Sequence, residues 1–430
     1  MEKYKLNRLK TQNYKNLSLQ DGLPLNNLNI FIGPNGSGKS NLTDIFKFLL
    51  ACTTDPPDET RGTTRFEDAV FRLGGPRILT GNVTAPAKVG LEFEFESIPA
   101  KSSYHTLEIE LSVQDASSPI TISRELLTSR QPNTSQEPFY YYKCHDRTSN
   151  SGVISVYNDP AQPKQTHFEP LAKIPANDLA LVTIPELLET SKFPPENTPV
   201  YRIRRHLIDT ISHWRFYNAN DMNLQEIRLS EPKIGQRDIH LSRSGKNLSL
   251  VLHNLIRNSL DFEETINNAM KAILPNTRRL RAIPSGRLSL TVEWFLENIA
   301  EPFYLNEVSD GTVRMLCWAT ILHAPQLPTL VVIDEPEIGI HVAWMPILAE
   351  WIKAASQKTQ IIICTHSPDL LDHFTDQVEN TLVFNFAESK QNLFQVQPLT
   401  EAQVAGWLAD GWQLGDLYRV GNPNLGGWPW

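Results

Sequence analysis

The apolar positions of this chain change period several times, and each change predicts an element. Leu28-Asn29-Ile30-Phe31-Ile32 is a short, almost continuous apolar run of the kind a buried strand needs. Leu42, Ile45, Phe46, Leu49 and Leu50 then recur at helical spacing, so a helix is expected to run to about Leu50. Upstream, Leu6, Leu9, Leu17 and Leu19 predict strands around a turn, broken by Asp21-Gly22 and Pro24. Residues 53–66 are polar and proline-bearing, a surface loop, and Phe66 to Leu73 predicts a short helix. From Val89 the period becomes two: Val89, Leu91, Phe93 and Phe95 face one way, Glu92, Glu94 and Glu96 the other. The alternation returns through Leu107, Ile109 and Leu111, and again near residues 120, 140 and 155. Residues 87–157 therefore predict an antiparallel sheet, expected as a side layer.

Beyond it, residues 158–200 are rich in proline and polar residues and predict loops with one short helix near Ile184 to Thr190, a natural place for a partner-specific insertion. Residues 201–275 read as mainly helical: Tyr201 to Trp214, Leu248 to Ser259 and Phe262 to Ile273. Leu288 to Phe295 alternates as a strand. Thr329-Leu330-Val331-Val332-Ile333 and Gln360-Ile361-Ile362-Ile363-Cys364 are unbroken enough for strands inside a parallel sheet, with a helix from about His341 to Ala355 between them. Thr381 to Phe386 and Leu393 to Val396 predict a closing hairpin. Thr400 with Gln403 predicts a capping box for a last helix. No heptad run is sustained, which excludes a long coiled-coil arm. Three segments are expected: 1–157, an N-terminal lobe with the antiparallel layer; 158–300, a helical and insertion lobe; and 301–430, which completes the core.

Composition changes this picture little. With 430 residues, 40% hydrophobic and 20% charged, the chain has an ordinary globular balance. No stretch approaches the roughly 20 apolar residues of a membrane helix, the first residues carry no apolar signal core, and Cys52, Cys144, Cys317 and Cys364 are scattered. A cytoplasmic protein with no membrane role is expected. The net charge of −8 argues against a basic coat for nucleic acid, though not against a local patch. Arg202, Arg204 and Arg205, with Arg278, Arg279, Arg281 and Arg287, are either such a strip or solvated surface charge.

The chemistry concentrates at the ends of the apolar runs. Gly33-Pro34-Asn35-Gly36-Ser37-Gly38-Lys39-Ser40 fits G-x-x-x-x-G-K-[S/T] between a strand and a helix. Glycines let the backbone N–H groups of such a loop turn inward, and the helix start adds partial positive charge, so the loop suits phosphate. Lys39 would reach the β- and γ-phosphates of ATP, and the Ser40 hydroxyl would hold Mg²⁺. Asp334-Glu335 ends one buried strand: Asp334 suits Mg²⁺, Glu335 a general base for attacking water. Thr365-His366-Ser367-Pro368 ends the other, where His366 can touch a γ-phosphate. Ser309-Asp310-Gly311-Thr312 opens a helix with Val313, Leu316, Cys317 and Thr320 on one face. Ser309 there is either an ordinary N-cap or part of a second anion site.

As an ordered set, G-P-N-G-S-G-K-S-N (ending at Asn41), V-S-D-G-T, L-V-V-I-D-E-P-E-I-G-I-H and T-H-S-P resembles the ABC-type ATPase heads of the RecF, SMC and OLD lineage, often called AAA family ATPases with an ABC-like signature. Ser244-Gly245-Lys246-Asn247-Leu248 and Leu414-Gly415-Asp416-Leu417-Tyr418 with Gly421 are further matches. The resemblance implies an α/β P-loop fold: a mixed, largely parallel central sheet, an antiparallel β layer and a helical lobe. It also implies a head-to-head homodimer with ATP sandwiched between subunits. Asn35 to Asn41, Asp334, Glu335 and His366 would act on ATP from one subunit, and Ser309, Asp310 and Gly311 would cap the γ-phosphate from the other. Two departures stand out: Ser-Asp-Gly-Thr replaces Ser-Gly-Gly-Gln, and no glutamine lies between Ser40 and Val113 to sense the metal, Gln114 being a weak substitute.

Four readings follow. One is a slow ATPase that switches a separate nuclease or toxin effector in prokaryotic anti-phage defence, since the chain ends soon after the ATPase motifs and its output is expected to pass through a partner. Another is a RecF-like DNA-maintenance ATPase, with nucleic acid as partner. A transporter subunit fits the altered signature and the wide spacing of the motifs poorly. Last is an ATP-gated clamp that scarcely hydrolyses.

Overall fold

The computed structural model describes residues 3–55, 63–81, 83–98, 103–131, 138–145, 152–157, 168–174, 176–189, 199–285, 289–386 and 393–426. Residues 158–167 and 190–198, within the expected insertion, lie outside the described residues, as does the end of the tail from residue 427.

In chain order the elements begin with β1 (Lys3–Tyr14), β2 (Leu17–Pro24), β3 (Leu28–Ile32), α1 (Lys39–Thr54) and α2 (Arg65–Leu73). A run of strands follows: β4 (Ala87–Ile98), β5 (Tyr104–Val113), β6 (Thr121–Arg130), β7 (Phe139–His145), β8 (Gly152–Tyr157) and β9 (Phe168–Ile174). Then come α3 (Ala180–Glu189), α4 (Pro199–Ser212), β10 (Trp214–Asn218), α5 (Leu224–Leu229), α6 (Leu248–Asn258), α7 (Leu260–Ile273), β11 (Thr277–Ser285), β12 (Ser289–Leu296) and β13 (Phe303–Tyr304). The chain closes through α8 (Asp310–Leu322), β14 (Leu330–Asp334), α9 (Met345–Ser356), β15 (Gln360–Cys364), α10 (Pro368–Asp372), β16 (Thr381–Phe386), β17 (Phe394–Pro398), α11 (Glu401–Ala409) and α12 (Leu414–Arg419). None of the helices among the described residues is long and apolar enough to cross a membrane.

Two compact units interleave along the chain. The first comprises 1–26, 33–214 and 383–397. Its strands run in the order β16-β17-β2-β1-β4-β5-β6-β7-β8-β9. The expected alternation holds: Leu9, Phe93, Leu107 and Leu127 lie opposite one another across β1, β4, β5 and β6, and all are buried. Burying each such side chain stabilises by about 1.5–3 kcal/mol. The other face carries charge, with Lys10 3.1 Å from Glu92, Arg124 3.2 Å from Glu108 and Lys88 2.7 Å from Glu110. α1 lies against this sheet through Phe46, edge-on to Trp214, which in turn stacks on Phe95. Thr64 and Glu67 cap α2 reciprocally, and the helix buries Phe66, Ala69, Val70 and Leu73, with Phe66 edge-on to Phe48 of α1.

A fully buried carboxylate, Glu125 on β6, pins α3. It accepts hydrogen bonds from the Tyr142 hydroxyl at 2.7 Å and from the backbone N–H groups of Ala180 at 2.7 Å and Leu181 at 2.9 Å. Glu125→Ala would remove the buried acceptor of the Ala180 and Leu181 N–H groups, so a loss of about 3–5 kcal/mol is expected. Chemical denaturation checks this: a midpoint within error of wild type would contradict it.

The second unit comprises 27–32, 215–382 and 398–430. Its strand order is β10-β14-β15-β3, with β14, β15 and β3 parallel. The near-continuous apolar sequences of these strands match burial on both faces. Strand β10 lies where helical periodicity was expected to run to Trp214. In fact Trp214, Phe216 and Tyr217 are buried as strand residues, because aromatic side chains fit a pleated surface better than a helix end. The separate sheet β11-β12-β13 is antiparallel, with the Trp294 indole N–H donating to the Thr277 hydroxyl at 3.1 Å in its core. At the C-terminal end α12 packs on α10. A Cβ on Gly415 would meet the Pro368 carbonyl oxygen at 2.0 Å, so only glycine permits that approach.

Candidate nucleotide site

In the first unit the loop 33–38 runs into α1. Gly36 and Gly38 have φ of +76° and +102°, and a Cβ on Gly38 would meet Leu17 Cδ2 at 2.6 Å. No side chain caps α1 and no acidic residue occupies its first turn, so no side chain there offsets the partial positive charge of the helix N-terminus. Lys39 is buried. Its ammonium donates to the Gly33 carbonyl at 2.7 Å and the Pro34 carbonyl at 3.1 Å, so it is held over the loop. Asn35, Gly36 and Ser40 are exposed, and Ser37 is buried.

A buttress that sequence reasoning missed holds this loop. Asn16, in the β1–β2 turn, donates to the Gly36 carbonyl at 2.8 Å and accepts from the Asn41 amide at 2.8 Å. Lys15 reaches the Asn41 side-chain oxygen at 3.0 Å, and the Tyr14 hydroxyl donates to its carbonyl. Burial pulls the Lys15 ammonium below the usual lysine range, against the pull of Asp44. The only sequence signal was Lys15-Asn16 at a tight turn, which says nothing about a partner 25 residues away.

In the second unit the parallel register brings strand ends together. Asp334 lies opposite Cys364, and Cys364 opposite Phe31. The Glu335 N–H donates to the Cys364 carbonyl at 2.8 Å, and the Thr365 N–H to the Phe31 carbonyl at 3.1 Å. Asp334-Glu335 and Thr365-His366 therefore occupy the C-terminal edge of neighbouring parallel strands, where open α/β sheets place ligands. Glu335 has φ of +51°, left-handed for a residue with a side chain and costing of order 1–3 kcal/mol.

Three further side chains organise this edge. Asn218 donates to Asp334 Oδ2 at 2.9 Å, and Asn220 to Glu335 Oε2 at 2.8 Å. The third, Glu337, accepts at Oε1 from the Thr365 hydroxyl at 2.7 Å and from the N–H groups of His366 and Ser367, both at 3.1 Å. Burial pushes the Glu337 carboxyl above the usual carboxylate range, opposed by the Thr365 hydrogen bond. Glu337 thus fixes the backbone that carries His366. An asparagine pair two residues apart at the end of an aromatic strand was the signal for Asn218 and Asn220, hidden by reading that stretch as helix.

Ser309 caps α8. Its hydroxyl accepts from the Thr312 N–H at 3.2 Å and lies 2.7 Å from the Thr312 hydroxyl. Asp310 pairs with Arg228 at 2.7 Å. A Cβ on Gly311 would meet the Gly339 carbonyl oxygen at 3.0 Å and Trp344 at 3.1 Å, a tight fit that favours glycine on packing grounds alone. The cap is real, and Ser309 and Asp310 are also exposed. Gln114, just after β5, donates to the hydroxyl of Ser112 at the end of that strand at 2.9 Å.

The family described as "AAA domain, putative AbiEii toxin, Type IV TA system" matches residues 28–372. Among solved structures, the SMC head bound to the C-terminal winged-helix domain of ScpA is 12% identical, covering 93% of this chain and 99% of that one, with a TM-score of 0.51. An SMC head with an extended coiled coil, bound to the C-terminal domain of ScpA from Pyrococcus furiosus, is 11% identical over 95% and 99%, with a TM-score of 0.46. No curated protein matches the sequence. The first likeness shows the fold: that of an SMC head, with a mixed sheet and a separate small antiparallel one.

Proposed function

We propose a function from the premise that this chain belongs to the AAA domain family described as putative AbiEii toxin, type IV TA system. It binds and slowly hydrolyses ATP, closes head-to-head with a second copy around the nucleotide, and thereby switches a separate effector protein in prokaryotic anti-phage defence. The observation that carries this reading is the register Asp334–Cys364–Phe31, with Gly33 two residues beyond Phe31 along the chain. The family description, which places its members among toxin–antitoxin systems, supports the defence role. The SMC head bound to a winged-helix domain supports a head of this fold docking a partner protein.

In this mechanism the 33–40 loop and the start of α1 take the phosphates, and Lys39 exchanges a loop carbonyl for phosphate oxygen. Ser40 and Asp334 would hold Mg²⁺ through the hard oxygen ligands it prefers, and the ion when bound would neutralise charge on the phosphates. Glu335 takes a proton from the attacking water. His366, fixed through Glu337, meets the γ-phosphate, and the partner copy's signature segment covers it. Loss of that phosphate loosens the contact.

A DNA-maintenance role draws less support. Arg204 donates to the Leu181 and Val182 carbonyls and Arg279 to Glu263, so two members of the expected basic strip have protein partners.

Ser309→Arg tests the closure. Losing the N-cap costs only about 1 kcal/mol, so the variant folds. It is expected to keep wild-type ATP affinity while losing the ATP-dependent doubling of mass in light scattering. The same ATP-induced dimer in the variant would refute the role of Ser309 in trans.

A further inference from the structure

The groups described so far account for the base but not for what aims it. Glu335 leaves β14 in a left-handed conformation, so the direction of its side chain depends on what holds it. Among the described residues, the side chain that hydrogen-bonds its carboxylate is Asn220, at 2.8 Å. Asn220 is itself placed by its own strand end. Its N–H donates to Asn218 Oδ1 at 2.7 Å, and the Ala219 N–H donates to the Asp334 carbonyl at 3.2 Å.

This short segment is tied to a third element. Arg314, in the second turn of α8, donates from its guanidinium to the Ala219 carbonyl. The same side chain lies against Gly339: a Cβ there would meet Arg314 Nε at 2.9 Å. One arginine thus joins the helix capped by Ser309, the Asn218–Asn220 segment and the turn after Glu335.

We propose that Asn220 is the positioning residue that aims Glu335 at the attacking water, and that Arg314 fixes the Asn220 backbone to the helix opened by Ser309. This rests on the reading of Glu335 as the base. An N–H donor to one carboxylate oxygen leaves the other to accept the proton from water. Movement of α8 when its N-terminus meets a γ-phosphate is transmitted through Arg314 to that donor. Closure and alignment of the base are then one event.

The test is a double-mutant cycle read by single-turnover phosphate release. Asn220 is exposed, so Asn220→Ala folds, and ATP affinity and melting temperature should stay at wild-type values. Its rate should fall about 10- to 100-fold, as expected when a reacting group is misplaced by about an ångström. Asn220→Asp, which keeps the shape but removes the donor, should fall at least as far. On a Glu335→Gln background Asn220→Ala should cost nothing more, because the group it aims is gone. Arg314→Ala should lower the rate in the same direction, non-additively with Asn220→Ala. Asn220→Ala with a wild-type rate, or with the same loss on both backgrounds, would overturn the positioning role while leaving the base intact. Glu335→Gln with a wild-type rate would overturn the base assignment and this proposal with it.

Discussion

Lys39→Ala is expected to abolish ATP binding at concentrations that saturate the wild type, an affinity loss of at least about 100-fold by calorimetry. A charge-assisted hydrogen bond contributes about 1.5–3 kcal/mol, and this ammonium is positioned to make more than one to the β- and γ-phosphates. It sits on the loop already, 2.7 Å from the Gly33 carbonyl, so little ordering is required when phosphate arrives. Lys39→Arg is expected to fail almost as badly. The pocket made by the Gly33 and Pro34 carbonyls is sized for a compact ammonium, and a planar guanidinium is larger and differently directed. Lys39→Ala also removes two loop hydrogen bonds of a buried ammonium, so a stability loss of about 1–3 kcal/mol is expected beside the loss of binding and is read separately by chemical denaturation. Tight ATP binding by Lys39→Ala would remove the phosphate assignment of the whole loop.

The glycine loop, the acidic pair and the histidine turn were legible because each lies at the end of a strand whose apolar pattern is unambiguous. Period and end fix the position of a side chain along a strand without any knowledge of its neighbours. The antiparallel layer was legible for the same reason: Glu92, Glu94 and Glu96 alternate with buried residues. What stayed hidden depends on contacts between distant segments. Asn16 braces a loop 20 residues away, and Asn220 reaches Glu335 across 115 positions. Neither residue type nor local spacing carries that information. Strand β10 was misread because Trp214 continues the helical spacing of α4, and only burial of Phe216 and Tyr217 beside it decides for a strand. Gly311 runs the other way. Read as part of a ligand-capping motif, it is also favoured by the close approach of Gly339 and Trp344, so its presence alone did not discriminate between the two roles.

Glu335→Gln is expected to separate binding from turnover. ATP affinity should stay within about twofold of wild type, while the hydrolysis rate falls about 10²–10⁴-fold, the usual contribution of a positioned base. The variant should fold normally. Its amide can turn its oxygen toward Asn220 and keep that 2.8 Å contact, and the Glu335 N–H still reaches the Cys364 carbonyl. With hydrolysis stopped, the ATP-bound closed form should accumulate, and the mass by light scattering should remain doubled for hours rather than decay. The two outcomes also decide between a hydrolysing switch and a clamp. In a clamp, wild type and variant would release phosphate at the same near-zero rate. The local structure favours the switch. A left-handed backbone at a residue with a side chain is retained only where the surroundings over-determine it, and here the side chain it carries is a carboxylate held at 2.8 Å by Asn220. A clamp needs no carboxylate at that position, and a glycine would hold the same turn without the strain.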